Sequence, residues 1–169
     1  MHGTRRLIYG GAMLLGATSG GSDPLQPLRS LSLTGTHSAT AENDALKFIP
    51  VKGVKGLEQA LRTASLSGKP VMLDFYADWC VSCKEMEHQT FSDPTVHKAL
   101  EQAVLLQADV TANDTDDQAL LKRFGIFGPP SIMFFGTDGQ ERRAFRVVGY
   151  LGPREFSAHV AQALSPQSL

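Results

Sequence analysis

The sequence predicts an α/β domain in which a mixed central sheet is flanked by helices, preceded by an extended N-terminal segment. Three observations predict it. The run Val71-Met-Leu-Asp-Phe-Tyr-Ala77 is mostly apolar and of strand length, as a central strand buried on both faces requires. Segments with apolar residues at helical spacing alternate with other strand-like runs. The last two such runs are separated by the turn residues Gly136-Thr-Asp-Gly139, which indicates an antiparallel hairpin. Strands first separated by helices and then paired in a hairpin give a sheet of mixed direction.

The first segment, residues 1–19, carries Arg5 and Arg6 before an apolar run from Leu7 to Ala17. That run of about eleven residues is too short to span a bilayer. It reads as a signal-like segment with Ala17-Thr18-Ser19 as a small-residue cleavage site, or as the tail of a longer membrane helix. Either way the arginines stay cytoplasmic and the chain beyond the apolar run lies across the membrane, with N-terminal membrane association in the second case. A disordered cytoplasmic leader is the remaining reading, because three glycines interrupt the run. Residues 20–43, rich in Gly, Ser, Thr and Pro without a sustained period, form a linker. The compact domain is expected over residues 44–166.

Within that domain Leu46 to Val51 reads as a short strand. Leu57 to Leu66 reads as a helix, with apolar residues at 57, 60, 61, 64 and 66 and Gly68-Lys69-Pro70 ending it. After the apolar run at 71–77, a helix is expected from the cysteines to about Phe91. Ser92-Asp93-Pro94 then supplies a cap and a first-turn proline for a helix to about Leu100. Ala103 to Val110 is a second buried strand. Asp114 to Phe124 is helical, with acids in its first turn and Lys122-Arg123 in its last, which suits the helix dipole. Ser131 to Phe135 and Ala144 to Val148 form the hairpin strands, and Pro153 opens a closing helix to about Leu164.

A formal net charge of -1 with no Lys/Arg block argues against nucleic acid as a partner. Only two cysteines occur, Cys80 and Cys83, so a multi-bridge secreted scaffold is excluded. They are a redox pair or half of a metal site. A zinc site needs further ligands, for which His88, His97 and nearby carboxylates are candidates without recognisable spacing, so no metal is expected. Lys84 stands where a haem-attachment motif has histidine.

Thiol exchange requires a thiolate, and the first turn of a helix favours one through its unpaired N–H groups and dipole. Cys80 falls where strand gives way to helix, and Cys83 lies one turn later on the same face, so the sulfurs can close a small ring. A mixed disulfide at Cys80 can then be resolved by Cys83. An inert local disulfide or two buried thiols is the alternative. Glu87, four residues after Cys83, shares that face or is a solvated helix position. Asp74 sits within the apolar strand, where a carboxylate is costly unless protonated or paired. Near the thiols, both acids raise the cysteine pKa against the helix effect, and each can exchange a proton during resolution. Trp79 shields the sulfurs or is an ordinary apolar residue. Asp78 and Glu85 read as surface charges. Gly128-Pro129-Pro130-Ser131 precedes the hairpin, with trans prolines the commoner state by base rate.

Trp79-Cys80-Val-Ser-Cys83 after an apolar strand containing Asp74, with a Pro-Ser step before the final hairpin, resembles the thioredoxins. The longer run Lys69 to Glu87, with Thr90-Phe-Ser-Asp-Pro94, Val104 to Asp114 and Glu155-Phe-Ser-Ala-His159, resembles the C-terminal periplasmic domain of the DsbD family of thiol:disulfide interchange proteins. The resemblance covers nearly everything from about Leu46 to Leu164 and implies a thioredoxin fold and protein-disulfide reductase activity. It implies that Cys80 attacks, Cys83 resolves, Asp74 and Glu87 modulate, and a cis Pro130 faces the sulfurs, with Trp79 and Pro129 at the partner-binding surface. It further implies a membrane electron-donor domain, periplasmic immunoglobulin-like or thioredoxin-like acceptors serving disulfide isomerisation and cytochrome c maturation, and a place on the periplasmic side of the bacterial inner membrane. No cofactor beyond the Cys80–Cys83 disulfide is expected, and the domain is expected to be monomeric. Two departures stand out: residues for the family's other domains are absent from the chain, and Pro129 lacks the N–H with which relatives pair a partner's backbone. A thiol oxidant and a metal-binding module with the same fold remain the alternatives.

Overall fold

A strand buried on both faces needs neighbours on both edges, and the 71–77 run has them. In the computed structural model, which describes residues 45–165, β2 (Val71–Tyr76) is the middle strand of a five-stranded sheet of order β1-β3-β2-β4-β5. The leader over 1–19, the linker over 20–43 and the outermost residues of the expected 44–166 domain lie outside the described residues. β3 (Val104–Asp109) runs parallel to β2, while β4 (Ser131–Phe135) runs antiparallel to it. Short strands β1 (Ile49–Pro50) and β5 (Val147–Val148) form the two edges. The register places Asp74 beside Gln107 of β3 and Ile132 of β4.

Among the described residues five α-helices accompany the sheet. On one face α1 (Gly53–Leu66) and α4 (Thr115–Phe124) pack Leu57, Ala64, Leu120 and Phe124 against Leu73, Phe75, Leu106 and Met133. The other face buries Met72, Ile132 and Phe134 under Met86, Phe91, α3 (Pro94–Leu100) and α5 (Pro153–Ala163). α2 (Val81–Glu85) follows β2 directly. Phe75, Phe134 and Phe156 are completely buried, and each such side chain contributes about 1.5–3 kcal/mol by leaving water. No helix of the described residues is long and apolar enough to cross a membrane.

Local signals explain the helix ends. Asp93 accepts from the Thr95 N–H with Pro94 at the first position of α3, the cap expected of Ser92-Asp93-Pro94. Asp114 and Asp117 form a reciprocal capping box at the start of α4, and Gly125, at φ +63°, ends it in the left-handed region.

Four elements differ from the sequence expectation. α1 starts at Gly53, four residues before the apolar period begins at Leu57. The helix expected to run to Phe91 is a short α2 followed by a π-helical turn, Met86–Thr90. Of the strand expected over 46–51 only Ile49–Pro50 pairs, because Leu46 and Phe48 turn into the second core, where the Phe48 and Phe91 rings lie 5.5 Å apart. Of the strand expected over 144–148, Arg143–Phe145 is a 3₁₀ turn and only Val147–Val148 pairs. Here Phe145 packs on His159 of α5, and the Arg146 guanidinium is held by Glu141 and the Phe124 carbonyl.

Candidate active site

Cys80 is the N-cap of α2. Its backbone is extended (φ −87°, ψ 103°), and its N–H donates to the Ala77 carbonyl at 3.0 Å. Cys83 follows one turn later, with the two Cα atoms 5.3 Å apart and the sulfurs joined as a disulfide. The Cys83 N–H donates to Cys80 Sγ at 3.1 Å. That amide is one of the helix-start donors without a partner inside the helix, which leaves it available to the Cys80 sulfur.

Cys80 keeps 6% and Cys83 4% of its surface, whereas the flanking Trp79 and Val81 are 60% and 73% exposed. The sulfurs thus lie at the floor of an apolar rim. Trp79 is anchored from below: its Nε1 donates to the Thr111 carbonyl at 3.3 Å, and the Asp78 N–H donates to Thr111 Oγ1 at 2.9 Å. Thr111, in the connection after β3, therefore fixes the segment that enters the disulfide.

Asp74 is 5% exposed in the middle of β2. Gln107 Nε2 donates to its Oδ2 at 3.0 Å. Burial pushes this carboxyl up from the usual aspartate range to about 7; the Gln107 bond works against that rise, and the negative charge of Glu87 adds to it. Glu87 sits half-buried on the π-helical turn, and its charge also reaches Tyr76 and Lys84. Lys84 Nζ donates to the Tyr76 hydroxyl at 2.6 Å and stands 3.6 Å from Asp78. Three acids, Asp74, Asp78 and Glu87, and one cation, Lys84, are thereby grouped around the strand that delivers the cysteines.

The Pro129–Pro130 peptide bond is cis. Its loop is tied to the sheet by Ser131 Oγ donating to the Gly128 carbonyl and the Gly149 N–H donating to the Pro130 carbonyl, both at 3.0 Å. Phe127, two residues before Pro129, is wholly exposed, as are much of Val148 and Tyr150 in the segment that pairs with this loop. Of the zinc candidates, His97 bonds the Phe91 carbonyl, and no cluster of three or more His, Cys, Asp or Glu is placed to hold a metal among the described residues.

The structure thus joins Cys80 to Cys83, brings Asp74 within the field of Glu87, and sets Trp79 on the rim. Sequence reasoning missed Gln107, Thr111, Lys84 and Phe127. One signal existed for Gln107: it interrupts the apolar run 104–110 as Asp74 interrupts 71–77, but the register that makes them neighbours is a property of the sheet.

A helix-start disulfide directly after the middle strand of this sheet, with a cis proline before β4, is the thioredoxin-like arrangement. The chain belongs to the thioredoxin-like domain family, whose model matches residues 57–164. Within it, the chain is homologous to the C-terminal thioredoxin-like domain of DsbD. It is 39% identical to the Neisseria meningitidis DsbD C-terminal domain in the oxidised form, covering 68% of this chain and 99% of that one with a TM-score of 0.59. The thiol:disulfide interchange protein DsbD of Ralstonia nicotianae is 51% identical over 159 residues, 93% of this chain and 26% of that protein. DsbD of Escherichia coli K12 is 52% identical over 136 residues, 80% of this chain and 24% of that protein. The chain therefore spans about a quarter of the length of these curated relatives.

Proposed function

We propose that this domain is a protein-disulfide reductase that passes electrons by dithiol/disulfide exchange at Cys80 and Cys83. The observation that carries the reading is the helix-start disulfide, with the Cys83 amide on Cys80 Sγ, at the floor of an exposed apolar rim. In the reduced state the Cys80 thiolate attacks one sulfur of a partner disulfide, forming a mixed disulfide and expelling the other partner sulfur as a thiolate that takes up a proton. Cys83, as thiolate, then attacks Cys80 Sγ. The second partner thiol leaves and the Cys80–Cys83 bond reforms, so two electrons and two protons reach the partner. Asp74 and Glu87 take up and return protons during resolution: a buried carboxyl titrating at about 7 can do both near neutral pH.

Trp79, Pro129 and Pro130 form the surface that receives the partner backbone, with Pro129 unable to donate a hydrogen bond. The donor is a membrane electron-transfer domain, and the acceptors are periplasmic immunoglobulin-like or thioredoxin-like proteins. The site lies on the periplasmic side of the inner membrane, and residues 1–19 and 20–43 serve as membrane-tail or signal-like segment and linker. The DsbD homology supports these assignments.

The test is covalent trapping. The reduced domain carrying Cys83→Ser, mixed with a disulfide-bonded periplasmic protein, should accumulate an adduct through Cys80, seen on a non-reducing gel and by mass spectrometry. Cys80→Ser should give none. Absence of adduct from the first variant overturns the reading. The Cys83 amide on Cys80 Sγ also favours a second reading, a thiol oxidant, because it stabilises the reduced form. Equilibration in glutathione buffer separates the two, since an oxidant is already reduced under mildly reducing conditions.

A further inference from the structure

We propose that Gln107 is a positioning residue for Asp74: its amide holds one carboxylate oxygen inside the sheet and leaves the other to exchange the proton. This rests on the reading of Asp74 as a proton carrier and names what controls it. The register comes first. Asp74 and Gln107 are directly paired on parallel strands β2 and β3, so their side chains project from the same face. The opposite lateral neighbour, Ile132 of β4, has no polar atom to offer, and Met72, two residues back on that face, is fully buried. Among the described residues Gln107 is the sole hydrogen-bond partner of the Asp74 side chain, at Oδ2. Oδ1 therefore belongs to the part of the carboxyl with residual exposure, and no buried polar atom is left unpaired among the described residues.

The charged and titratable groups around this carboxyl are few. Glu87 on the π-helical turn acts on it, and the charge of Glu87 also reaches Lys84 of α2 and Tyr76 of β2. No ion pair joins Lys84 to Asp74 among the described residues; its ammonium donates to the Tyr76 hydroxyl and stands 3.6 Å from Asp78. Among the described residues a neutral amide is thus the one group that favours the ionised carboxylate against burial and Glu87. A glutamine suits this task because it donates without neutralising: a cation at the same place would hold the acid ionised at all working pH values. The amide also decides which oxygen carries the proton, since a carboxyl gripped at Oδ2 cannot rotate to present either oxygen.

The experiment uses Gln107→Met, which keeps length and removes the donor, and Gln107→Glu, which keeps shape and adds a like charge. The Asp74 carboxyl is titrated by carbon NMR in the full chain, and the pH profile of disulfide exchange is read with oxidised glutathione as probe. Loss of a hydrogen bond to a charged group changes an ionisation constant by about tenfold, so the Asp74 midpoint should move upward in Gln107→Met and further in Gln107→Glu. In an Asp74→Asn background the Gln107→Met change should leave the pH profile unaltered. An unmoved Asp74 midpoint in both folded variants overturns the proposal, as does equal slowing with and without Asp74. A raised midpoint with an exchange profile indifferent to Asp74→Asn supports the Gln107 assignment and instead overturns the proton-carrier role.

Discussion

Two buried aspartates show opposite solutions to one problem. Asp117, 1% exposed near the start of α4, has a cation: Lys52 Nζ bonds it and also Asp114, at 2.8 Å, while the Asp114 N–H donates to its Oδ2 at 3.2 Å. Asp74, 5% exposed in β2, has only the amide of Gln107 among the described residues. The Lys52 pair ties α4 to the segment entering α1, whereas at Asp74 burial, opposed by one neutral donor, pushes the carboxyl up to about 7. The two buried carboxyls thus differ in the charge of the group that meets them.

The comparison can be broken most sharply at Asp74. Its folded-state carboxyl titrates at about 7, against 3.8 for an unperturbed aspartate. Between about pH 4 and 7 the folded protein holds a proton that the unfolded chain has released, so stability falls as pH rises through that window. Asp74→Asn removes this loss and should stabilise the oxidised domain by roughly 2–4 kcal/mol at pH 8 and not at pH 4. Urea unfolding at the two pH values checks it, and equal effects at both would remove the contrast with Asp117.

A smaller effect of opposite sign is expected at the paired acid. Asp117→Ala deletes half of the capping box and the buried end of the Lys52 interaction, costing about 1–3 kcal/mol. Denaturation should show the loss at neutral pH, with thiol exchange by the remaining folded protein unchanged; a slowed exchange would mean that Asp117 too serves the chemistry. The smallest effect belongs to Glu87→Gln. Removing its negative charge lowers the Asp74 midpoint, because Glu87 contributes to the rise but less than burial does. A carboxyl titration that shifts upward, or not at all, would show that the two acids do not sense each other.

Much of this was legible before any coordinates. The Val71–Ala77 run announced a doubly buried strand, Asp93-Pro94 and Asp114 announced helix starts, and Trp79-Cys80-Val-Ser-Cys83 announced the redox pair, because each is a local pattern with a local physical cause. The edges were less legible. Strand pairing at 46–51 and 144–148 lost to the burial of Phe48 and Phe145, whose ring partners Phe91 and His159 lie far along the chain. Likewise the helix after the cysteines changes pitch where Met86 and Thr90 turn inward, with Thr90 Oγ1 donating to the Leu151 carbonyl at 2.7 Å.

The sequence by itself determined the order of strands and helices, the dithiol at a helix start and the presence of an acid in an apolar strand. Spacing, capping and side-chain period are short-range properties, and a chain carries them wherever it goes. Only the tertiary structure decided that Asp74 meets Gln107, 33 positions away, while Asp117 meets Lys52, 65 positions away. Those meetings depend on sheet register and helix docking, which give one buried carboxyl a neutral amide and the other a lysine, because side chains far apart in sequence become neighbours only once the elements are packed.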